Sequence, residues 1–191
     1  MTLPIVAYGD PVLKRKATPI EKEGADWQTL IENMFETMEN AEGVGLAAPQ
    51  IGKSIRLFIV DTVQLENPKK NPDYKGVRRA FINAEMLEES GEEWKYEEGC
   101  LSIPNIREDV SRMPVIKLKY LDENWEEHTE TFNGINARVI QHEYDHIEGI
   151  LFTDHINPLK KRLLQRKLDK ISKGKVSVDY KMKFPELRMK R

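Results

Sequence analysis

Residues 141–149 read Gln141-His142-Glu143-Tyr144-Asp145-His146-Ile147-Glu148-Gly149. His142 and His146 are four positions apart, so a helix stacks both imidazoles on one face at a spacing that lets them share a metal ion. Glu143, between them, is placed as a general base beside such an ion rather than as a ligand to it. Ile135 and Val139 fall on the same helical face as the two histidines. That face turns from apolar packing into ligands, as a metal buried in a core requires. Asn133 is a candidate cap at the start, and Gly149 is well placed just past the end. The competing reading is a surface helix with two unrelated histidines, in a chain that holds only 4 His.

The rest of the composition is that of a folded chain. Of 191 residues, 39% are hydrophobic and 32% charged, which supports a core and argues against wholesale disorder. The length suits a single domain spanning 1–191. One cysteine, Cys100, excludes an intramolecular disulfide and leaves a thiol or a metal ligand. No apolar run approaches membrane-spanning length. Met1-Thr2-Leu3-Pro4 lacks the basic and apolar regions of a secretion signal, so the cytoplasm is the expected location. The net charge of -2 is unevenly spread. Residues 160–191 carry 13 Lys+Arg against 3 Asp+Glu, so a basic tail follows an acidic body. That tail could meet a polyanion.

Along the chain, residues 5–18 read as turn-rich, with Gly9-Asp10-Pro11 as a turn. Asp26 is a plausible cap for a first helix whose apolar side runs Trp27, Leu30, Ile31, Met34, Phe35 and Met38. Gly43-Val44-Gly45-Leu46-Ala47-Ala48-Pro49-Gln50 lacks the spacing of a phosphate loop. It is either a tight buried turn or a wall that admits a peptide backbone and presents Gln50 as a donor. Residues 55–60 form a short strand, and residues 62–79 look like a mobile excursion. Strand character resumes at Ala80-Phe81-Ile82, and residues 86–96 suggest a hairpin around Ser90-Gly91. Residues 113–121 and 124–132 read as partner strands, with His128 expected to be exposed. Residues 160–172 form a basic amphipathic helix with Leu164, Leu168 and Ile171 on its apolar side. Period-two alternation over residues 175–184 predicts a terminal strand added to the sheet, and Arg188 to Arg191 are expected to fray.

Two imidazoles need a further ligand. A third histidine at metzincin spacing is missing, because Phe152 occupies that position. His155 lies past the expected helix end, and the context of Glu186 offers no helix. Cys100, within Glu98-Gly99-Cys100-Leu101-Ser102, is the better choice: a thiolate and two imidazoles form a tetrahedral site with one open position.

Taken together, the segments 43–50, 98–102 and 141–146 strongly resemble peptide deformylases, over roughly residues 3–170. The resemblance implies an α+β fold, with antiparallel sheets around a central helix that bears both histidines. It implies a hydrolase that removes formate from the formyl-methionine of a nascent polypeptide during protein synthesis. One divalent metal is implied on Cys100, His142 and His146, usually Fe(II), with Zn(II) or Ni(II) as substitutes. Glu143 then accepts the proton of the attacking water, while the Gln50 amide and the Leu101 N–H stabilise the oxyanion. Gly43, Val44, Gly45, Tyr96, Glu98, Gly99, Ile135, Arg138 and Val139 border the methionine pocket or the peptide channel. Arg107 resembles the basic residue near the bound peptide, and Arg112 is either a partner for Glu98 or an ordinary surface arginine.

Arg138 and Tyr96 stand where many relatives carry smaller apolar residues. The expectation is that the Arg138 stem covers the pocket rim while its charge snorkels outward. The resemblance also suggests a monomer that contacts the ribosome through its basic C-terminal helix; no DNA or membrane partner is expected. Two other classes compete on the residues alone. A zinc endopeptidase of the His-Glu-x-x-His type would need a long cleft. A structural metal module bound to the ribosome would have no use for Glu143.

Overall fold

The computed structural model describes residues 1–185. In chain order its elements are β1 (Ile5–Val6), α1 (Trp27–Asn40), β2 (Gly45–Ala47), β3 (Leu57–Asp61), β4 (Arg78–Ser90) and β5 (Trp94–Cys100). There follow β6 (Ile103–Arg112), β7 (Val115–Leu121), β8 (Glu127–Asn133), α2 (Gly134–Ile147), α3 (Pro158–Ser172) and β9 (Met182–Lys183). Strands β2-β3-β4-β7-β8 make a five-stranded antiparallel sheet in that order, β5 and β6 a separate antiparallel pair, and β1 and β9 a short parallel pair. The fold is α+β, with the histidine-bearing α2 at its centre.

Strand β3 shows how the layers form. Its Leu57 and Ile59 join Ile31, Met34 and Met38 of α1 in one core cluster. Phe58 and Val60, pointing the other way, join Ala137, Ile140 and Ile147 of α2 in another. Period-two alternation thus buries one helix on each face of the sheet. Helix α1 begins where expected, with the Asp26 carboxylate accepting from Thr29 N at 3.1 Å. Asn133 stands at the α2 N-cap without a capping side-chain bond. Gly149 follows the helix at φ +76°, and a Cβ there would lie 2.7 Å from the Lys14 carbonyl, so glycine ends α2 for two reasons. In α3, Leu168 and Ile171 are buried against Ile103, Ile106 and Val110 of β6.

Several expectations are corrected. The chain does turn at Ser90-Gly91, but β4 and β5 are not partners: β4 pairs with β3 and β7, and β5 pairs with β6. The edge of β4 is taken by β7, and register shifts bend β4 between Ile82 and Glu88, so β5 leaves the main sheet. The long terminal strand over 175–184 is also absent. Only Met182 and Lys183 form a ladder, because β1 offers an edge two residues long. Residues 175–181 run as irregular chain instead. His128 is half-buried rather than exposed, stacked on Tyr120 with Nε2 2.7 Å from the Asp122 carboxylate. The excursion at 62–79 is tied to the body: the Tyr74 hydroxyl donates to Asn136 at 2.9 Å, and the Gln64 amide donates to the Gly43 carbonyl at 2.9 Å. The expectation for Arg188 to Arg191 lies outside the described residues.

Candidate active site

Helix α2 carries His142, Glu143 and His146 into the interior, and the end of β5 brings Cys100 to meet them. One donor atom from each of Cys100, His142 and His146 lies within 4.8 Å of the others. Cys100 Sγ is 3.4 Å from His146 Nε2. His142 turns its Nδ1 toward Glu98, at 2.9 Å from Oε2, which leaves Nε2 for a metal. Glu143 is buried, and its Oε2 has no hydrogen-bond partner among the described residues. A dry core has no reason to keep an unpaired carboxylate oxygen, whereas a site that holds a metal and its water does. The residues present therefore fit one divalent ion.

Electrostatics separates the two acids. Burial pushes the Glu143 carboxyl up to about 7, with the Glu98 and Asp145 charges adding to the effect against His142. Burial acts in the same sense on Glu98, but hydrogen bonds from His142 and Arg112 overcome it and hold that carboxyl well below the usual range. Arg112 donates to both Glu98 oxygens, at 2.7 and 3.1 Å, and to Asp145 at 2.8 Å. It is 7% exposed, so it is not a surface arginine.

Arg138 departs from expectation. Its guanidinium does not reach outward: it donates to Glu98 at 3.0 Å, to the Val110 carbonyl at 2.8 Å and to the Trp94 carbonyl at 2.6 Å, at 2% exposure. With Glu98 supplying the opposite charge inside, the ion pair replaces the hydration that snorkelling would have preserved.

The second wall comes from β2 and the short helical turn that follows it. A Cβ on Gly45 would lie 2.4 Å from Glu143 Oε1, so a larger residue there would push that carboxylate aside. Gln50 Oε1 accepts from Ala47 N at 2.8 Å, which turns its amide nitrogen toward Cys100 Sγ at 3.4 Å and Ser102 Oγ at 3.3 Å. The resulting cleft has a volume of about 710 Å³. Gly43, Val44, Gly45, Gln50, Glu98, Gly99 and Leu101 line it, as do Ile135, Val139 and Arg138. Tyr96 and Arg107 stand at its rim, the latter paired with Glu97 at 2.8 Å. Sequence reasoning missed Asp145 as a partner of Arg112, although it lies within the histidine motif, and missed Leu65 and residues 177–180 on the cleft wall. No local pattern marks those last contributors.

A cysteine sulfur, two imidazoles from one helix and an adjacent buried carboxylate, opening on a cleft, define the class: a metal-dependent hydrolase. The comparisons narrow it. The sequence profile of the polypeptide deformylase family matches residues 2–162. The chain is 55% identical to the peptide deformylase of Christiangramia forsetii, with 100% of both chains covered. It is 56% identical to that of Cytophaga hutchinsonii, covering 97% of this chain and 98% of the relative. A crystal structure of the Legionella pneumophila peptide deformylase superposes with a TM-score of 0.78 at 39% identity, covering 92% of this chain and 98% of that one. This chain belongs to the polypeptide deformylase family.

Proposed function

We propose that this chain hydrolyses the N-terminal formyl group of formyl-methionyl polypeptides during protein synthesis, releasing formate and leaving a free amine. The observation that carries the reading is the buried Glu143, with an unpartnered Oε2, beside the Cys100-His142-His146 donor set. Cys100, His142 and His146 would hold one divalent ion, which when bound supplies Lewis acidity that acidifies a water and polarises a carbonyl. Glu143 takes a proton from the attacking water as the new C–O bond forms, and returns a proton to the amine as the C–N bond breaks. The Gln50 amide and the Leu101 N–H donate to the developing oxyanion. Gly43, Gly45 and Gly99 let the peptide backbone approach closely, and Val44 borders the channel beside them. Ile135, Val139 and the stem of Arg138 wall the methionine pocket, with Tyr96 at its mouth, and Arg107 meets the peptide further along. Glu98 holds the His142 ring through Nδ1, and Arg112 holds Glu98.

The resemblance favours Fe(II) as the cellular metal, with Zn(II) or Ni(II) as substitutes, and one cytoplasmic, monomeric catalytic domain over residues 1–191. It also favours ribosome contact through α3. Arg162, Arg166, Lys167 and Lys170 are exposed there, whereas Lys160 pairs with Glu108 and Lys161 with Asp154. Formate release from formyl-Met-Ala-Ser, against its acetylated counterpart, tests the function. Glu143→Ala should lose about 10²–10⁴-fold in kcat, the usual contribution of a general base, with bound metal unchanged. Cleavage of internal peptide bonds in preference to formate release would point to an endopeptidase instead.

A further inference from the structure

We propose that Tyr180 is a positioning residue for deformylation: it holds the Leu101-Ser102 turn, and residues 177–180 complete the cleft wall beyond that turn. The proposal rests on the function given above. Leu101 and Ser102 form the tight connection between β5 and β6, next to a register shift between Gly99 and Cys100. A ligand on one side and an oxyanion donor within this turn demand that it not rock. The hairpin ladder alone does not ensure this, because the ladder is interrupted at that point.

The restraint comes from three directions. Gln50 reaches Ser102 Oγ at 3.3 Å. The Tyr8 N–H donates to the Ser102 carbonyl at 2.8 Å. The Tyr180 hydroxyl donates to the Leu101 carbonyl at 2.8 Å. Tyr180 is itself seated, since its ring packs against the cluster that contains Met38 and Leu46, as Leu101 does. Its segment is tied down just beyond, where Lys181 and Lys183 carbonyls accept from Ile5 N and Ala7 N, both at 2.9 Å. Residues 5–8 therefore link directly to both the tail and the turn. Opposite, Leu101 Cδ1 sits against Gly43, where a Cβ would lie 2.8 Å away. Ser177, Val178, Asp179 and Tyr180 all line the cleft, although they lie beyond the 2–162 stretch that the family profile matches. The tail thus adds to the shared site a hydrogen bond that none of the three motifs encodes.

Tyr180→Phe removes one oxygen and keeps the packing. Backbone amide exchange over residues 98–103, read by mass spectrometry, should become at least about fivefold faster in the variant, while α2 stays unchanged. With formyl-Met-Ala-Ser, kcat should fall about tenfold at a KM within about twofold, less than the loss from removing an oxyanion donor outright. Bound metal should match the wild type, and Tm should fall by no more than a few degrees, the cost of one hydrogen bond. Unchanged exchange, an unchanged kcat, or a kcat loss explained by metal loss would each overturn the proposal. If the wild-type protein releases no formate, the function fails, and the exchange measurement still decides whether Tyr180 holds the turn.

Discussion

Gly45 Cα lies so close to the Glu143 carboxylate that a Cβ on residue 45 would sit 2.4 Å from Oε1 and 2.7 Å from Cγ. The two residues are 98 positions apart, yet each determines what the other can be. Glu143 sits on the helix that also carries both histidines, so a shifted carboxylate changes its place relative to them. Gly45→Ala should displace the carboxylate and reduce kcat by about 10²-fold, the scale of a misplaced catalytic group. Bound metal should stay near the wild-type level. Metal analysis beside formate release checks this, and an alanine variant of full activity would show that Glu143 has room.

The metal itself is open to a direct comparison. A thiolate and two imidazoles do not favour Fe(II) over Zn(II) on softness grounds, so cellular supply and kinetic assembly must decide which ion is bound. The anaerobic Fe(II) form should turn over faster than the Zn(II) form and lose activity in air. Reconstitution with each ion, with activity expressed per bound metal, measures it; equal rates without oxygen would refute the preference. Cys100→Ala should abolish stoichiometric retention of either ion.

Arg112→Met tests the buried charge network. It would leave Glu98 and Asp145 without their shared guanidinium. Breaking a buried pair on one side costs about 3–5 kcal/mol, because the surviving charge stays desolvated. Urea unfolding should show a loss of that order, and a change below about 1 kcal/mol would mean that Arg138 alone satisfies Glu98.

Asp154 governs part of the acid limb. Burial alone would raise its pKa, but hydrogen bonds from Lys14, Lys161 and Leu151 N lower it from 3.8 to about 2. A folded-state pKa below the unfolded one means that the carboxylate stabilises the fold fully above 3.8. That contribution is lost as pH falls toward about 2. The stability gap between wild type and Asp154→Asn should be constant above about pH 5 and narrow below it. A gap that grew on acidification would contradict the sign.

The basic face of α3 can be reversed without touching the cleft. Substituting Glu at Arg166, Lys167 and Lys170 should leave turnover of a short formylated peptide unchanged. Cosedimentation with ribosomes should weaken, and its salt dependence should flatten, since fewer counterions are released. Equal cosedimentation at low salt would make this face a solvated surface only.

The sequence by itself determined the elements whose signal is local. Histidines four apart, a cap at Asp26, a glycine after α2 and the short apolar run of β3 all depend on neighbours within a few turns or residues. The meeting of Cys100 with His142 and His146 was also legible, because a single cysteine left little choice. Only the tertiary structure decided the pairing partners and the direction of the charges. Strand β5 pairs with β6 while β7 holds the edge of β4, a choice between segments that no local period records. Arg138 turned inward because Glu98, 40 positions away, offered a buried counter-charge. The alternating tail did not extend as a strand because the available edge, β1, is two residues long. Its Tyr180 met Leu101 instead, 79 residues upstream. Local periodicity tells which face of a segment seeks burial, whereas the partner that buries it is settled by the whole chain closing at once.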